Sequence, residues 1–323
     1  MFGFGKRQSS AEPPAVGLFG KAPVAGDFLF SATETPVDSP LKDWIEQGVN
    51  HVATRRVDDW RSLDTQPAQL RAFVYRGESG KARDWIAVGL IRPSGDAVGR
   101  RFPLAVYSAL HQDIWAGSAH LLPLSMSMFL QDALRVFDLA DRSQDPRTIL
   151  SGLRLPSTDS FALSRTEYAN WLLQTPNSTL WQAVFGNPDW RDLPSNVLSS
   201  VREALAPWRG KEFPQTPLML RVPLGSGGSM TTAFWFDLIR RLAAWKKTSP
   251  CAFWNIHDGG SLTVSVGGPH ARSLGEMWLS DESNDYLCDF GGRLLGAGEL
   301  PKATVRTLEA DSSAQEVLES FSD

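Results

Sequence analysis

The sequence predicts an α/β protein, a three-layer sandwich with a mixed β-sheet and helices on both faces. Three observations support this fold class. Short apolar runs typical of strands alternate with amphipathic segments typical of helices along most of the chain. Residues 85–91 are almost continuously apolar, which indicates a central strand covered on both faces. The chain has 323 residues, 42 % of them hydrophobic, so it can bury a large core.

The first half of the chain predicts a strand, a helix, three strands and a second helix. We expect the first helix to begin with Ser39 as its N-cap and Pro40 at its first position, since both residue types favour helix starts. The elements predicted in this half are strand 15–19, a helix from 40 to 56, strands 70–75, 85–91 and 104–110, and a helix at 118–140.

The middle of the chain, about residues 145–214, differs because prolines recur in it. Short helices at 165–173 and 195–205 fit between the prolines, but the spacing predicts no long element. We interpret this segment as a Pro/Trp-rich helical insertion packed against the main body, and a second domain is the alternative. The tryptophans expected to pack it are Trp171, Trp181, Trp190 and Trp208.

Regular structure is predicted again after the insertion. A glycine-rich turn at 225–228 separates a strand from a helix that Ser229 is expected to cap. The elements predicted here are strand 218–222, the capped helix, a hairpin of 251–256 and 262–266, and a helix at 274–279.

Charge and cysteine content argue against several classes of function. The net charge is −4, from 32 basic and 36 acidic residues, so no basic excess exists to neutralise nucleic-acid phosphates. The two cysteines, Cys251 and Cys288, cannot form a disulfide framework or a four-cysteine metal site, which fits a reducing cytosol. The N-terminus lacks a signal-like apolar stretch, and no apolar run reaches about 18 residues. We therefore expect a cytoplasmic protein with no nucleic-acid partner and no stable membrane insertion.

Two motifs, residues 17–28 and 98–104, combine glycine, proline, aromatic and charged residues in turn-like segments. Loops of this kind, held by a rigid scaffold, tend to carry function. We take them as a candidate partner-binding site, and expect the two loops to meet in the folded molecule. Its residues are Phe19, Gly20, Lys21, Pro23, Gly26, Asp27, Phe28, Gly99, Arg100, Arg101, Phe102 and Pro103.

The pattern G-x-F-G-K-x-P-x-x-G-D-F at 17–28, followed by V-G-R-R-F-P-L at 98–104, resembles the TagF family, whose members accompany bacterial type VI secretion systems. Residues 252–259 resemble a later strand of that family. The resemblance extends over roughly 16–110 and, more loosely, about 215–280. It implies the same three-layer architecture. It also implies a cytoplasmic regulator that restrains secretion-system assembly after translation, by engaging a forkhead-associated scaffold protein.

This resemblance completes the expected domain organisation. Residues 1–14 are predicted to be a flexible arm, residues 15–300 a TagF-like α/β domain that includes the insertion, and residues 301–323 an acidic, weakly helical tail.

Asp27, in the first motif, has more than one possible role. It can present a carboxylate, bond backbone amides, or pair with Arg100 or Arg101 in the other motif. We favour a clamp between Asp27 and one of these arginines, since such a pair would join the two motifs into one surface.

The segment around Arg101 and Phe102 also has two interpretations. The arginines and an exposed ring can form a partner-binding hot spot. Alternatively, this is a strand entry with Phe102 buried and the arginines solvated. In an extended chain adjacent side chains point to opposite faces, so at most one of Arg101 and Phe102 points inward.

Catalytic and cofactor-binding motifs are not found. Two residues separate Gly17 from Gly20, and Pro23 removes a backbone amide, so the first motif does not match a phosphate-binding P-loop. The five histidines are scattered, and the sequence lacks a nucleophile-elbow motif. We therefore predict a non-catalytic regulatory protein without a cofactor or metal. The alternatives are a hydrolase with a loop-built active site and a structural subunit of the secretion apparatus.

Overall fold

A mixed β-sheet organises the computed structural model, with nine strands in the part of the chain that it describes. The described residues are 13–31, 34–63, 67–186, 192–211, 218–245, 251–256, 259–279, 286–291 and 311–321. The strands are β1 Ala15–Gly20, β2 Leu29–Phe30, β3 Arg71–Arg76, β4 Trp85–Arg92, β5 Leu104–His111, β6 Leu218–Gly225, β7 Cys251–Asn255, β8 Gly260–Val266 and β9 Leu287–Asp289.

The strand order is β2-β1-β5-β4-β3-β7-β8-β6-β9. All neighbours pair antiparallel except β6 and β9, which pair parallel. The predicted strands 85–91 and 104–110 are both observed and pair antiparallel, with Val88 opposite Ser108. Strand β4 is buried along its whole length and has a partner on each edge, as its apolar sequence predicts.

Helices cover the two faces of this sheet. Those in the described chain are α1 Asp38–Arg55, α2 Val57–Ser62, α3 Gln112–Trp115, α4 Leu122–Ser125, α5 Ser127–Asp141, α6 Thr158–Gln174, α7 Asn177–Phe185, α8 Asp192–Leu205, α9 Gly228–Leu242, α10 Ala271–Glu276 and α11 Ala314–Glu319. Five short 3₁₀ turns are also present among the described residues, at Pro67–Gln69, Gly80–Asp84, Ala119–Leu121, Pro146–Gly152 and Ala206–Trp208.

Side-chain alternation along the strands divides the core into two layers. On the first face of the sheet, Val88 and Val106 pack with α4 to α9 and α11. On the second face, Ala87 and Tyr107 pack with α1, α2 and α10. Because successive strand residues point to opposite faces, one strand contributes to both layers. The predicted three-layer α/β architecture is confirmed.

Helix α1 begins two residues earlier than the sequence predicts. Its first residue is Asp38, so Ser39 lies within the helix, and the prediction of Ser39 as the N-cap was wrong. The Asp38 carboxylate accepts hydrogen bonds from the backbone amide and the hydroxyl of Thr35, at 2.5 and 2.7 Å. A carboxylate in the first turn also interacts favourably with the helix dipole.

The predicted cap of α9 was also wrong. This helix begins at Gly228, with Gly227 as its N-cap residue and no side-chain cap, so Ser229 lies inside the helix.

The segment 145–214 contains a long helix that the proline spacing did not predict. Helix α6 has 17 residues, because Pro156 and Pro176 flank it without interrupting it. A capping box between Ser157 and Ser160 fixes its start. The helices of this segment share the first-face core, where the Trp181 ring lies 5.8 Å from that of Phe234. Trp171 and Trp208 pack partly buried against that core, and Trp190 lies outside the described residues.

Helix α11 lies in the segment predicted as a tail and packs into the core. Its apolar residues Ala314, Val317, Leu318 and the following Phe321 are all buried. Their spacing of three and four residues places them on one helix face. The Asn177 amide donates to the Ser312 carbonyl at 2.6 Å, which ties this segment to the start of α7.

None of the described helices combines the length and the apolar character needed to cross a bilayer.

The close approach of β1 to the Tyr107 ring gives a testable prediction. A Cβ added at Gly17 would lie 2.0 Å from Cζ of Tyr107, and the Tyr107 hydroxyl is held by a 2.7 Å hydrogen bond to Asp38. The ring cannot move away without losing that bond. We expect Gly17→Ala to lower the free energy of unfolding by about 1–3 kcal/mol, as is typical of an overpacked core. Urea denaturation measures this.

Gly152→Ala is the matched control, because its added Cβ meets no atom within 4 Å. Equal stability of the two variants would contradict the predicted clash.

Candidate functional site

The sheet register brings the two sequence motifs together. Strands β1 and β5 pair antiparallel with Gly20 opposite Leu104, so the end of β1 lies beside the start of β5. The first loop, residues 21–28, leaves β1 at this point, and the second loop, residues 93–103, enters β5 there. The Ala97 amide donates to the Ala25 carbonyl at 2.9 Å, which joins the two loops through their backbones. The expected meeting of the two loops is observed.

The Asp96 carboxylate links the loops through charge. One oxygen, Oδ2, accepts from Lys21 Nζ at 2.7 Å and from Arg100 Nε at 2.6 Å. The other, Oδ1, accepts from the backbone amides of Val98 at 3.1 Å and Arg100 at 2.8 Å. The Asp96 side chain is fully buried, and that of Lys21 is only 7 % exposed. A buried carboxylate needs such partners, because an unpaired buried charge is strongly unfavourable.

These contacts change the acidity of Asp96. Burial opposes the charged form, but the hydrogen bonds from Lys21 and Arg100 and the charge of Lys21 outweigh that effect and hold its pKa well below the usual range. The Asp96 carboxylate is therefore ionised in the folded protein at neutral pH. Since four donors occupy its two oxygens, we assign it a structural role in shaping the loops.

The predicted clamp between Asp27 and an arginine was wrong. Asp27 is exposed, and its Oδ1 accepts a hydrogen bond from the amide of the adjacent Phe28 at 2.8 Å. Arg100 instead pairs with Asp96 and donates from Nη2 to the Gly26 carbonyl. Asp96 lies four residues before Arg100 in the same tight loop, so both the guanidinium and the backbone amide of Arg100 reach it. Arg101 is exposed, and its backbone bridges to Gly95.

An aromatic cluster lies beside this ion pair. The Phe102 ring packs edge-on against the rings of Phe28 and Phe19, with centroids 4.9 and 5.4 Å away. The Phe28 and Phe19 rings are stacked at 5.5 Å. Phe102 is buried while Arg100 and Arg101 are exposed, as the strand-entry alternative requires. Edge-on and stacked contacts of this kind stabilise beyond the area that they bury.

Two glycines of the motifs meet specific backbone requirements. Gly20 has a φ of +137°, and a Cβ there would lie 2.0 Å from the Pro103 carbonyl oxygen. Gly99 has a φ of +87°, which favours glycine in the second loop. Gly26 and Pro23 are exposed, whereas Pro103 is buried at the entry to β5.

Sequence reasoning missed two residues that complete the exposed surface. The Phe30 ring is 48 % exposed and lies 5.6 Å from that of Phe19. Lys42, from the first turns of α1, places Nζ 4.9 Å from the Phe30 ring centroid. The alternation Phe28-Leu29-Phe30 was the available signal, because period two places both rings on one side of a strand. No sequence pattern linked Lys42 to them.

A cleft of about 810 Å³ lies beside Phe30 at the β2 edge of the sheet. Its apolar lining includes Val16, Phe30, Trp85, Leu150 and Leu155. We use the name two-loop surface for the exposed residues of the two loops together with Phe30 and Lys42. The two-loop surface therefore combines exposed charge with an apolar cleft at an edge strand.

Within the described chain, no group of three or more His, Cys, Asp and Glu side chains could hold a metal ion.

The N-terminal part of the chain is similar to a known protein family. Residues 17–153 match the family model of the TagF N-terminal domain, which is described as type VI secretion system-associated. The matched region contains both loops of the site. It supports the TagF resemblance and associates the chain with a type VI secretion system.

A search of curated proteins found no match. Among solved structures, the crystal structure of PA0076 from Pseudomonas aeruginosa PAO1 aligns with a TM-score of 0.37 and 21 % identity. The alignment covers 44 % of this chain and 64 % of that one, which is less than two thirds of its length.

Two aspartates of the loops form a matched pair for mutation. Asp96→Ala removes the shared partner of Lys21 and Arg100 and leaves the buried Lys21 ammonium without a carboxylate. We expect a marked fall in the urea unfolding midpoint. Asp27→Ala removes only an exposed carboxylate bonded to its neighbour's amide, so its midpoint should equal that of the native protein. A larger fall in the unfolding midpoint for Asp27→Ala than for Asp96→Ala would instead support the predicted clamp between Asp27 and an arginine.

The lowered pKa of Asp96 predicts a pH dependence. A carboxyl whose folded-state pKa is depressed contributes stability above its ordinary pKa of about 4, and this contribution is lost as pH falls towards the folded-state value. We therefore expect the stability difference between the native protein and Asp96→Asn to narrow between about pH 7 and about pH 3. Urea titrations along this range measure it. A constant difference would contradict the assigned ionisation.

Proposed function

We propose that the protein is a non-catalytic regulator of a type VI secretion system, since residues 17–153 match the model of the TagF N-terminal domain, which is type VI secretion system-associated. In this proposal it acts in the cytoplasm after translation. It restrains assembly of the system by binding a forkhead-associated scaffold protein. The two-loop surface is the docking site for that partner.

The observation that carries this proposal is the buried ion pair of Asp96 with Lys21. It fixes two loops from distant parts of the sequence in one arrangement before any partner binds. A surface that is already ordered loses little conformational entropy on association, so more of the contact energy appears as affinity.

The composition of the two-loop surface also suits a protein partner. Exposed Phe30 and Val98 provide apolar contact, with exposed fractions of 48 and 70 %. Arg100 and Arg101 add exposed cationic groups that can pair with carboxylates. Aromatic and arginine side chains are the residue types that most often dominate protein–protein binding energy.

Strand β2 gives the surface an edge. It is the last strand on its side of the described sheet, so its outer edge has no described neighbour. A partner segment can pair with such an edge through backbone hydrogen bonds, while side-chain pockets supply specificity. The cleft beside Phe30 lies in position to receive those side chains.

A binding assay with purified proteins tests this proposal. The double variant Phe30→Ala, Arg101→Glu removes the most exposed ring and reverses one exposed charge of the surface. We expect at least about tenfold weaker binding to the forkhead-associated protein of the same secretion system, because hot-spot residues typically contribute more than 1 kcal/mol. Surface plasmon resonance measures the affinity, and thermal unfolding verifies that the variant is folded.

Leu163→Ala is the control, since Leu163 is 61 % exposed on α6, which covers the opposite face of the sheet. It should bind as the native protein does. Absence of binding by the native protein, together with unchanged secretion when it is deleted or overproduced, would overturn the proposed regulation. Binding that survives the double variant would overturn the proposed docking site alone.

A further inference from the structure

One part of the sheet's second face is polar, unlike the rest of the core. Residue Arg71 of β3 lies opposite Asn255 of β7, and Ser261 of β8 lies opposite Pro223 of β6. Asn255 and Ser261 lie across from each other at the turn end of the β7–β8 hairpin, one position beyond the last paired residues. The sheet therefore carries a row of polar side chains across three neighbouring strands.

A second polar row lies two residues further along β8 and extends across β6 to β9. Thr263 pairs with Arg221, and Arg221 pairs with Asp289 of β9. On the opposite face of these strands, Val222 and Leu262 are fully buried in the apolar core. The polarity is therefore confined to one face.

These two rows line a cavity of about 530 Å³. Its remaining lining residues are Phe253, Gly259, Gly260, Gly291 and, at the end of α10, Glu276, Met277 and Trp278. The volume falls within the range of small-molecule sites, about 300–1,000 Å³. The cavity lies at the β3–β9 half of the sheet, whereas the two-loop surface lies at the β2 edge.

Arg221 is fully engaged within the cavity wall. It pairs with Glu276 at 3.0 Å and with Asp289 at 3.3 Å, and its Nε lies 3.4 Å from the Thr263 hydroxyl. Two carboxylates neutralise this guanidinium, so we assign it the role of holding α10 and β9 on the sheet.

Arg71 differs from Arg221 because its described partners are all backbone carbonyls. Its Nε donates to Met277 at 3.0 Å, and its Nη1 donates to Ala68 at 2.8 Å and Leu70 at 3.0 Å. No carboxylate forms an ion pair with it among the described residues. Burial lowers the pKa of this guanidinium, which indicates partial removal from water without a compensating charge. Its remaining nitrogen, Nη2, makes no hydrogen bond in the described part of the chain.

Two further polar groups beside Arg71 are free to bind a ligand. The side chains of Asn255 and Ser261 are half-buried and have no hydrogen-bond partner among the described residues. An amide, a hydroxyl and a guanidinium with an unused donor thus line the same wall of one cavity.

We propose that this cavity binds a small ligand through a carboxylate or phosphate group, with Arg71 as the charge partner and Asn255 and Ser261 as hydrogen-bond donors. Guanidinium groups bind both kinds of oxyanion through paired N–H donors. The Arg221 guanidinium lines the same cavity but is neutralised by Glu276 and Asp289, so it is not the charge partner in this proposal. The alternative is purely structural, in which Arg71 only anchors the carbonyl of Met277 after α10 and those of Ala68 and Leu70 before β3.

Isothermal titration calorimetry on the full chain distinguishes these two roles. Inorganic phosphate and acetate are the probes, each titrated separately at low ionic strength in a buffer free of both. We expect saturable binding of at least one probe. Arg71→Gln should weaken it at least about tenfold, since a charge-assisted contact is lost. Arg202→Gln, which removes an exposed arginine on α8, should leave it unchanged.

Asn255→Ala gives a second variant, because it removes an amide without touching the carbonyl contacts of Arg71. It should weaken binding several-fold, and it keeps the test decisive if Arg71→Gln does not fold. Absence of saturable binding for both probes would overturn the proposal. So would binding that Arg71→Gln, or Asn255→Ala in its place, leaves unchanged.

Discussion

The buried carboxylate of Asp96 is the constraint on which the candidate site depends. A charge without contact to water requires partners, and Lys21 and Arg100 supply them from both loops. The position of the first loop is thereby tied to that of the second. The aromatic cluster depends on the same arrangement, because Phe28 reaches Phe102 only when the loops are held together. A site that looks like two separate motifs in the sequence is therefore one unit in the folded protein.

The sheet separates two surfaces of different chemistry. At the β2 edge, the exposed Phe30 ring and two exposed arginines lie beside an apolar cleft, a composition that suits a protein partner. In the β3–β9 half, polar side chains on one face line a cavity of small-molecule size. Strand β3 belongs to the core near α1 and also supplies Arg71 to the cavity. The two surfaces are thus parts of one sheet.

Successive side chains of a strand point to opposite faces, which explains why one sheet can carry both the two-loop surface and the polar cavity. One face of the sheet belongs to the apolar core of α4 to α9, and Arg76, Arg92 and Ser108 are buried polar residues on that face. The second face is apolar only where α1, α2 and α10 cover it. Around the end of α10 the described strands carry Asn255, Ser261 and Arg221 in place of apolar side chains. Polarity on the second face therefore follows the extent of the helical cover.

The sequence by itself determined the type of most of the larger elements, because apolar spacing and turn residues act locally, but it did not predict the length of α6 or the short strands β2 and β9. Residues 85–91 predicted a central strand, and the alternation of Arg101 and Phe102 correctly allowed only one of them to point inward. Helix starts were less certain, since the capping group of α1 depended on Thr35 bonding to Asp38 and not on the serine that follows.

The tertiary structure decided which residues meet. The sequence joined the loops through Asp27, whereas the fold selected Asp96, because only a carboxylate inside the second loop is reached by Lys21 and Arg100 together. Lys42 and Phe30, and equally Arg71 and Asn255, come from elements whose contact is set by packing and strand register over long sequence distances. Local patterns carry no information about such pairs, so the binding surfaces became visible only in the folded chain.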